Sequence, residues 1–406
     1  MTRPATADRH RVDGPPAPPR GVDPLLVERV RTRLAAAGGL PTSTAVAAAV
    51  RAETGGVVTD LDVLAALRVV RQEFVGAGPL DELLRDPRTT DVLVGGGGVV
   101  WVDRGAGLER ASVRIPDEAG VRRLAQRLAL AAGRRLDDAS PCVDGWLTDS
   151  GVRLHAVLAP VAADGTCLSL RVLRPAAHDL TALRAGGTLE PTTEALLRSV
   201  LAARLALLIS GGTGTGKTTL LNALLGEVEP RERIILVEDS EELRPRHPHV
   251  VRLVARAANV EGAGGVPLRD LVRHALRMRP DRLVVGEVRG AEVCDLLSAL
   301  NTGHEGGAGT VHANSAREVP ARLEALAATG GLSRSALHSH FAAAVQVVLH
   351  MRRLRGGARV LDVVGVPVRA DGMVEVRPAW TRTGGWAEGR TALGAVLAER
   401  EVPLPW

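Results

Sequence analysis

Tyrosine is missing from this chain of 406 residues, phenylalanine occurs twice and tryptophan five times. A surface that grips single-stranded nucleic acid stacks bases on aromatic rings, so this class of binder is disfavoured and no nucleic-acid partner is expected. The cores must instead be built from Ala, Val and Leu. Cysteine occurs three times, as Cys142, Cys167 and Cys294, with no CxxC pair. No structural zinc site is suggested by that spacing, and the odd, sparse count fits a reducing cytosol. No apolar run reaches the roughly 18 residues of a membrane span. Residues 1–22 are rich in Pro, Arg and Ala without the apolar stretch of a signal peptide, and read as a disordered tail. Lysine is the scarcest charge: of 51 Lys and Arg, one is Lys217 and the other 50 are arginine. The sequence pI near 10.1 therefore reflects arginine usage, since the formal net charge is only +5.

The one lysine stands in Ser210-Gly211-Gly212-Thr213-Gly214-Thr215-Gly216-Lys217-Thr218-Thr219. The spacing Gly-x-x-x-x-Gly-Lys-Thr is the Walker A phosphate-binding pattern. Glycines permit positive φ and let successive N–H groups surround an anion. A compact ammonium acts as a point charge between phosphate oxygens where a planar guanidinium does not fit. Leu205–Ile209 reads as a buried strand entering the loop, and Thr218–Leu225 as a helix whose N-terminus adds positive potential. Gly212 through Thr219 are the candidate nucleotide-binding residues, with the Thr218 hydroxyl available to Mg²⁺.

Asp23–Gly38, Thr42–Arg51 and Leu61–Val75 read as helices, so 23–78 forms a helical segment ended by Gly76-Ala77-Gly78-Pro79. Residues 79–175 read as an α+β domain. Val92, Val94, Val99, Trp101 and Val102 mark short strands, Asp117–Ala132 a helix, and Arg153–Leu158 and Cys167–Leu173 further strands. Residues 176–191 carry turn residues and little periodicity and read as a linker. Strand and helix patterns alternate over 192–406, which implies a parallel α/β sheet, with strand-like runs at Val345–Met351 and Arg359–Val368.

Hydrolysis of a bound nucleotide needs a metal, a group that orients water, and positive charge on the phosphates. Ile234–Val237 ends in Glu238-Asp239, with Glu242 following, and Arg282–Gly286 ends in Glu287. Ligands of open α/β sheets sit at the carboxyl ends of the strands, so both acidic sets face the edge of Lys217. Gly286 stands where a Walker B strand usually carries Asp, so metal binding must lean on Thr218, water and Glu287. A third stretch, Asn301–Ser315, holds His304 and His312 among Gly and Thr. His312 follows a third strand and is the stronger candidate.

Walker A loop, acidic box (Glu238, Asp239, Glu242), glutamate-only Walker B (Gly286, Glu287) and histidine box (304–315), in this order, resemble the type II/type IV secretion ATPase superfamily. Gly76–Leu84, Thr90–Val94 and Ser169-Leu170-Arg171 look like the N-terminal domain of the CpaF-like tight-adherence (Flp/Tad) pilus ATPases, the actinobacterial branch in particular. The resemblance covers about Leu61 to Val376. It implies a RecA-like P-loop NTPase domain behind a smaller α+β domain, assembled as a homo-hexamer with ATP and Mg²⁺ as cofactors. It implies Glu287 as catalytic carboxylate, Glu238 as its assistant, His312 as sensor of the γ-phosphate, and an N-terminal arginine completing the site. Arg171 fits that arginine best, with Arg153 and Arg174 as lesser candidates. It further implies a cytoplasmic location, peripheral to the membrane, and polytopic platform proteins as partners.

Two other classes stay open at this level. One is a conjugative or DNA-translocating motor, which the basic pI invites. The other is a nucleotide-gated scaffold without turnover, against which Glu287 and the intact loop argue.

Overall fold

The computed structural model describes residues 29–30, 33, 43–53, 76–147, 151–172, 179–256, 258 and 263–405. The expected tail, the helix Leu61–Val75 and Arg174 lie outside these residues, as does most of Asp23–Gly38. The chain divides into two compact units, 1–173 and 174–406.

In the first unit, helix α1 spans Ser43–Glu53 and α2 spans Asp81–Arg85. Strands β1 (Asp91–Val94), β2 (Val99–Asp103), β3 (Leu108–Arg114), β4 (Cys142–Leu147), β5 (Val152–Val157) and β6 (Cys167–Val172) form an antiparallel sheet, ordered β3-β2-β1-β6-β5-β4. Helix α3 (Glu118–Ala131) covers one face. Its N-cap Asp117 accepts the Gly120 N–H, and Val121, Leu124, Ala125, Leu128 and Ala129 point into the core. The strands alternate as a half-covered sheet must: Val152, Leu154 and Ala156 are buried, whereas Arg153 and His155 are not. β3 and β4 carry no strong apolar alternation and are not evident from the sequence.

The second unit holds β7 (Leu207–Ser210), β8 (Ile234–Glu238), β9 (Val250–Val254), β10 (Arg282–Val288), β11 (Ala308–Val311), β12 (Val347–Arg353), β13 (Arg359–Ala370), β14 (Met373–Thr381) and β15 (Gly385–Trp386). Their order is β15-β14-β13-β12-β7-β11-β10-β8-β9. The six strands from β12 to β9 run parallel, and β13, β14 and β15 extend the sheet antiparallel. All four residues of β7 and all five of β8 are buried, as expected of parallel strands with helices on both faces.

Helices α4 (Leu180–Ala185), α5 (Pro191–Ala202), α6 (Lys217–Gly226) and α11 (Arg390–Glu399) contribute to the core on one face. Helices α7 (Leu268–Ala275), α8 (Glu292–Leu300), α9 (Val319–Thr329) and α10 (Arg334–Ala344) pack on the other.

The stretch expected to be a linker, 176–191, differs from that reading over its described part. Asp179 caps α4 by accepting the Ala182 N–H at 2.7 Å, and Leu180, Leu183 and Leu189 are buried in the main core. A helix of six residues shows too little periodicity to stand out beside Gly186-Gly187. β14 and α11 likewise lie beyond the strand-like runs that the sequence shows. They bury Trp380, Leu393 and Leu397, and Arg390 lies 5.3 Å over the Trp386 ring. No helix among the described residues is long and apolar enough to cross a membrane.

Candidate active site

The loop between β7 and α6 is built by close approach. Gly211 has φ +150°, and a methyl group there would stand 2.5 Å from the Met351 carbonyl oxygen and 2.7 Å from Thr215 Oγ1. Gly216 has φ +95° and leads directly into α6, which begins at Lys217. The Thr215 hydroxyl donates to the Gly212 carbonyl at 2.9 Å and closes the turn. Lys217 is only 7% exposed. Its ammonium curls back to the carbonyls of Gly211 (3.0 Å) and Gly212 (2.9 Å), while Gly212, Thr213 and Gly214 stay open to solvent. The helix N-terminus and these N–H groups form an anion-receptive surface.

Parallel register carries the remaining groups to the same edge. Ser210 pairs with Val311, Gly309 with Val285, and Val285 with Val237. Lys217, Thr218, Glu238, Glu287 and His312 therefore converge at the carboxyl ends of β7, β8, β10 and β11. His304 precedes β11 and sits at the opposite end, its Nδ1 3.2 Å from the Ala299 carbonyl. Arg171 belongs to the first unit, where its Nε donates to Asp91 at 3.0 Å. Arg153 is its cross-strand neighbour and pairs with Asp144 at 2.8 Å.

The pairing of β10 with β11 slips between Val285 and Val288, around Gly286 and Glu287. Such irregularities re-aim a side chain. The buried Thr310 hydroxyl holds this one by donating to the Gly286 carbonyl at 2.7 Å. Gly286 also has a steric reason: a methyl there would meet Glu238 Cγ at 2.8 Å.

The Glu287 carboxylate lies between a guanidinium and an imidazole. Arg289 donates to its Oε2 at 2.6 Å, and His312 Nε2 stands 2.6 Å from its Oε1. Arg289 also reaches Asp239 at 2.9 Å and so ties two strand ends together. The Glu292 carboxylate fixes the turn after β10 by accepting the N–H groups of Arg289 and Gly290. Sequence reasoning missed Arg289. The available signal was its place two residues after Glu287, on the same side of an extended segment.

Burial pushes Glu287 up, but the Arg289 hydrogen bond and the charges of Arg289, His312 and Lys217 outweigh it, so the carboxyl is held below its ordinary range. Burial and the neighbouring Lys217 push His312 down, against the opposing pull of Glu287. Lys217 is lowered chiefly by burial, with Glu287 and Glu242 opposing. Glu238 is pushed up to about 7 by burial, despite N–H donation from Leu243 and Glu242 to its Oε1. Its Oε2 is buried without a hydrogen-bond partner among the described residues. At neutral pH the edge therefore offers an ionised carboxylate in Glu287, a neutral imidazole in His312 and a half-protonated carboxyl in Glu238.

Among the described residues no group of three or more His, Cys, Asp or Glu side chains could hold a metal by itself. At the end of the loop the Thr218 hydroxyl and the Glu242 carboxylate bring two oxygen ligands together, 3.5 Å apart.

A phosphate-type loop on a mixed sheet with a parallel core, with acids at neighbouring strand ends, defines the RecA-like P-loop fold. The chain belongs to the type II/IV secretion system protein family, which matches residues 73–375. A Mycobacterium tuberculosis protein named for conjugal transfer is 62% identical over 346 residues, covering 84% of this chain and 98% of its own. The conjugal transfer protein TrbB of Rhizobium radiobacter is 32% identical over 290 residues, covering 70% of this chain and 85% of its own. Among solved structures, the pilus retraction motor PilT with bound ADP is similar with a TM-score of 0.53 at 22% identity, covering 72% of this chain and 83% of that one. At that identity the likeness concerns the fold.

Proposed function

We propose that this chain is an ATP-hydrolysing motor at the cytoplasmic face of a membrane, powering pilus assembly or secretion in the manner of the tight-adherence ATPases. The observation that carries the reading is Glu287: an ionised carboxylate held by Arg289, beside neutral His312, on the sheet edge that carries Lys217.

In this reading the triphosphate takes over the ammonium of Lys217 from the Gly211 and Gly212 carbonyls, and the N–H groups of 212–219 surround its β-phosphate. Glu287 orients water and draws its proton as the oxygen attacks the γ-phosphorus, and ADP departs with the bridging oxygen. Glu238, near the midpoint of its titration, assists by holding a proton at the same edge. Neutral His312 donates to the γ-phosphate and reports its loss to Glu287. Arg171, with Arg153 beside it, is the cation the first unit would supply.

Magnesium suits the donors present. Thr218, Glu287 and Glu242 offer hard oxygen ligands, and the Oε2 of Glu238 has no hydrogen-bond partner among the described residues. These residues would hold the ion directly or through water, and it would supply positive charge to the β- and γ-phosphates. A hexameric ring and polytopic membrane platform proteins are the partners this reading requires.

Purified full-length protein should release phosphate from ATP, and Lys217→Ala should lower turnover at least ~10²-fold, as loss of a preorganised charge does. Undiminished turnover in that variant would sink the site. A second reading, a motor that moves DNA, is favoured by the relatives named for conjugal transfer. Hydrolysis stimulated by added DNA, in a salt-sensitive manner, would select it.

A further inference from the structure

The loop has a neighbour on the side away from Glu287. Strand β12 lies next to β7, with His350 level with Ser210, and β13 returns antiparallel beside it. Arg359 opens β13 opposite Arg353, at the carboxyl edge of the parallel strands. Its aliphatic stem crosses Gly216, the residue before Lys217: a methyl on Gly216 would stand 3.4 Å from Arg359 Cδ and 3.7 Å from its Cβ. The guanidinium is exposed and makes no hydrogen bond or ion pair among the described residues. Arg352 on the same hairpin is by contrast engaged by Asp362 at 2.7 Å.

The order of strands gives this guanidinium a direction. Glu287, His312 and Glu238 come from β10, from the residue after β11, and from β8, all on one side of β7; Arg359 comes from the other side. A triphosphate on the loop with its γ end toward those acids directs its α-phosphate and nucleoside toward β12 and β13. We propose that Arg359 is a nucleotide-binding residue whose guanidinium takes the α-phosphate end of the nucleotide seated on the 211–218 loop. A planar fork of donors suits a phosphate that also offers a neighbouring ribose and base. The proposal rests on the reading of that loop as a nucleotide site and adds a contact that does not depend on the γ-phosphate. Arg359 thus serves ATP and ADP alike and separates a nucleotide from bare pyrophosphate.

Equilibrium binding of ADP and of inorganic pyrophosphate to the full-length chain, both with magnesium, tests this. Arg359→Ala should weaken ADP about tenfold, the low end for a charge-assisted hydrogen bond, and leave pyrophosphate within about twofold. Arg359→Lys should recover part of the ADP affinity. In turnover, KM for ATP should rise by more than kcat falls. Unchanged ADP binding in Arg359→Ala, while Lys217→Ala abolishes it, overturns the role of Arg359 and leaves the nucleotide site standing. Equal losses for ADP and pyrophosphate overturn it too, since the residue would then shape the loop rather than touch the α-phosphate end. Failure of the unaltered protein to bind ADP strikes the nucleotide site itself.

Discussion

At the amino end of the parallel sheet, Arg282 is 2% exposed and each of its three side-chain nitrogens has a partner. Its guanidinium donates to both carboxylate oxygens of Glu232 (2.7 and 3.1 Å), to the Leu201 carbonyl (3.1 Å) and to the Gly306 carbonyl (3.2 Å). At the carboxyl end of the same strands, buried charge is left short of partners. Among the described residues, Lys217 has only the carbonyls of its own loop, and one oxygen of Glu238 has no hydrogen bond. Buried polar groups are ordinarily satisfied, so the amino end follows the rule of a structural clamp and the carboxyl end departs from it. The departure teaches where a ligand belongs: groups held ready at a cost in stability mark the place where stability was not the criterion.

The contrast can be broken from either end. The largest expected effect is at Glu287. Replacement by Gln keeps the shape but removes the charge, and turnover should fall about 10³-fold, the upper range for a transition-state electrostatic group. Steady-state phosphate release checks it, and a loss below about tenfold would remove Glu287 from the chemistry. Next is Arg282→Ala, which leaves Glu232 without its main partner in a buried setting. Breaking such a pair costs about 3 kcal/mol, at the low end because Arg204 keeps a contact with Glu232 at 3.1 Å. Urea unfolding of the nucleotide-free protein measures this, and the two ends are alike after all if Arg282→Ala unfolds no earlier.

The smallest effect sharpens the comparison through pH. Glu238 has a folded value of about 7 against an ordinary 4.5. Its protonated form therefore contributes stability that is fully present below the unfolded value and is lost as pH rises through the folded one. Gln does not titrate. The stability of the unaltered protein relative to Glu238→Gln should thus fall by on the order of 2 kcal/mol between pH 4.5 and 7. A difference flat with pH would show that Glu238 is not held protonated by burial.

What could be read from the residues alone was whatever lay contiguous in the chain. The 211–218 loop, the acids ending β8 and β10, and His312 after β11 each announce themselves by local composition. The parallel sheet follows from alternation of apolar runs with helical stretches. Arg359 is one of 50 arginines and its importance lies in what the sheet brings beside it; Arg289 carries only the weak signal of its place two residues after Glu287. The helix α4 is hidden by its shortness, and its place in the core depends on α5 and α6, which come later in the chain. In the sequence Gly286 shows only as an absence of Asp, while the reason for the glycine, the Glu238 side chain packed across it, exists only in three dimensions.

That packing has a consequence for how this edge can vary. Glu238 on β8 and any branch at 286 on β10 compete for one volume, so the two adjacent strands share a single berth at this depth. An aspartate at 286 becomes admissible only when residue 238 is shortened. A long acid on the outer strand and a short acid on the inner one are therefore alternative solutions, each leaving no room for the other.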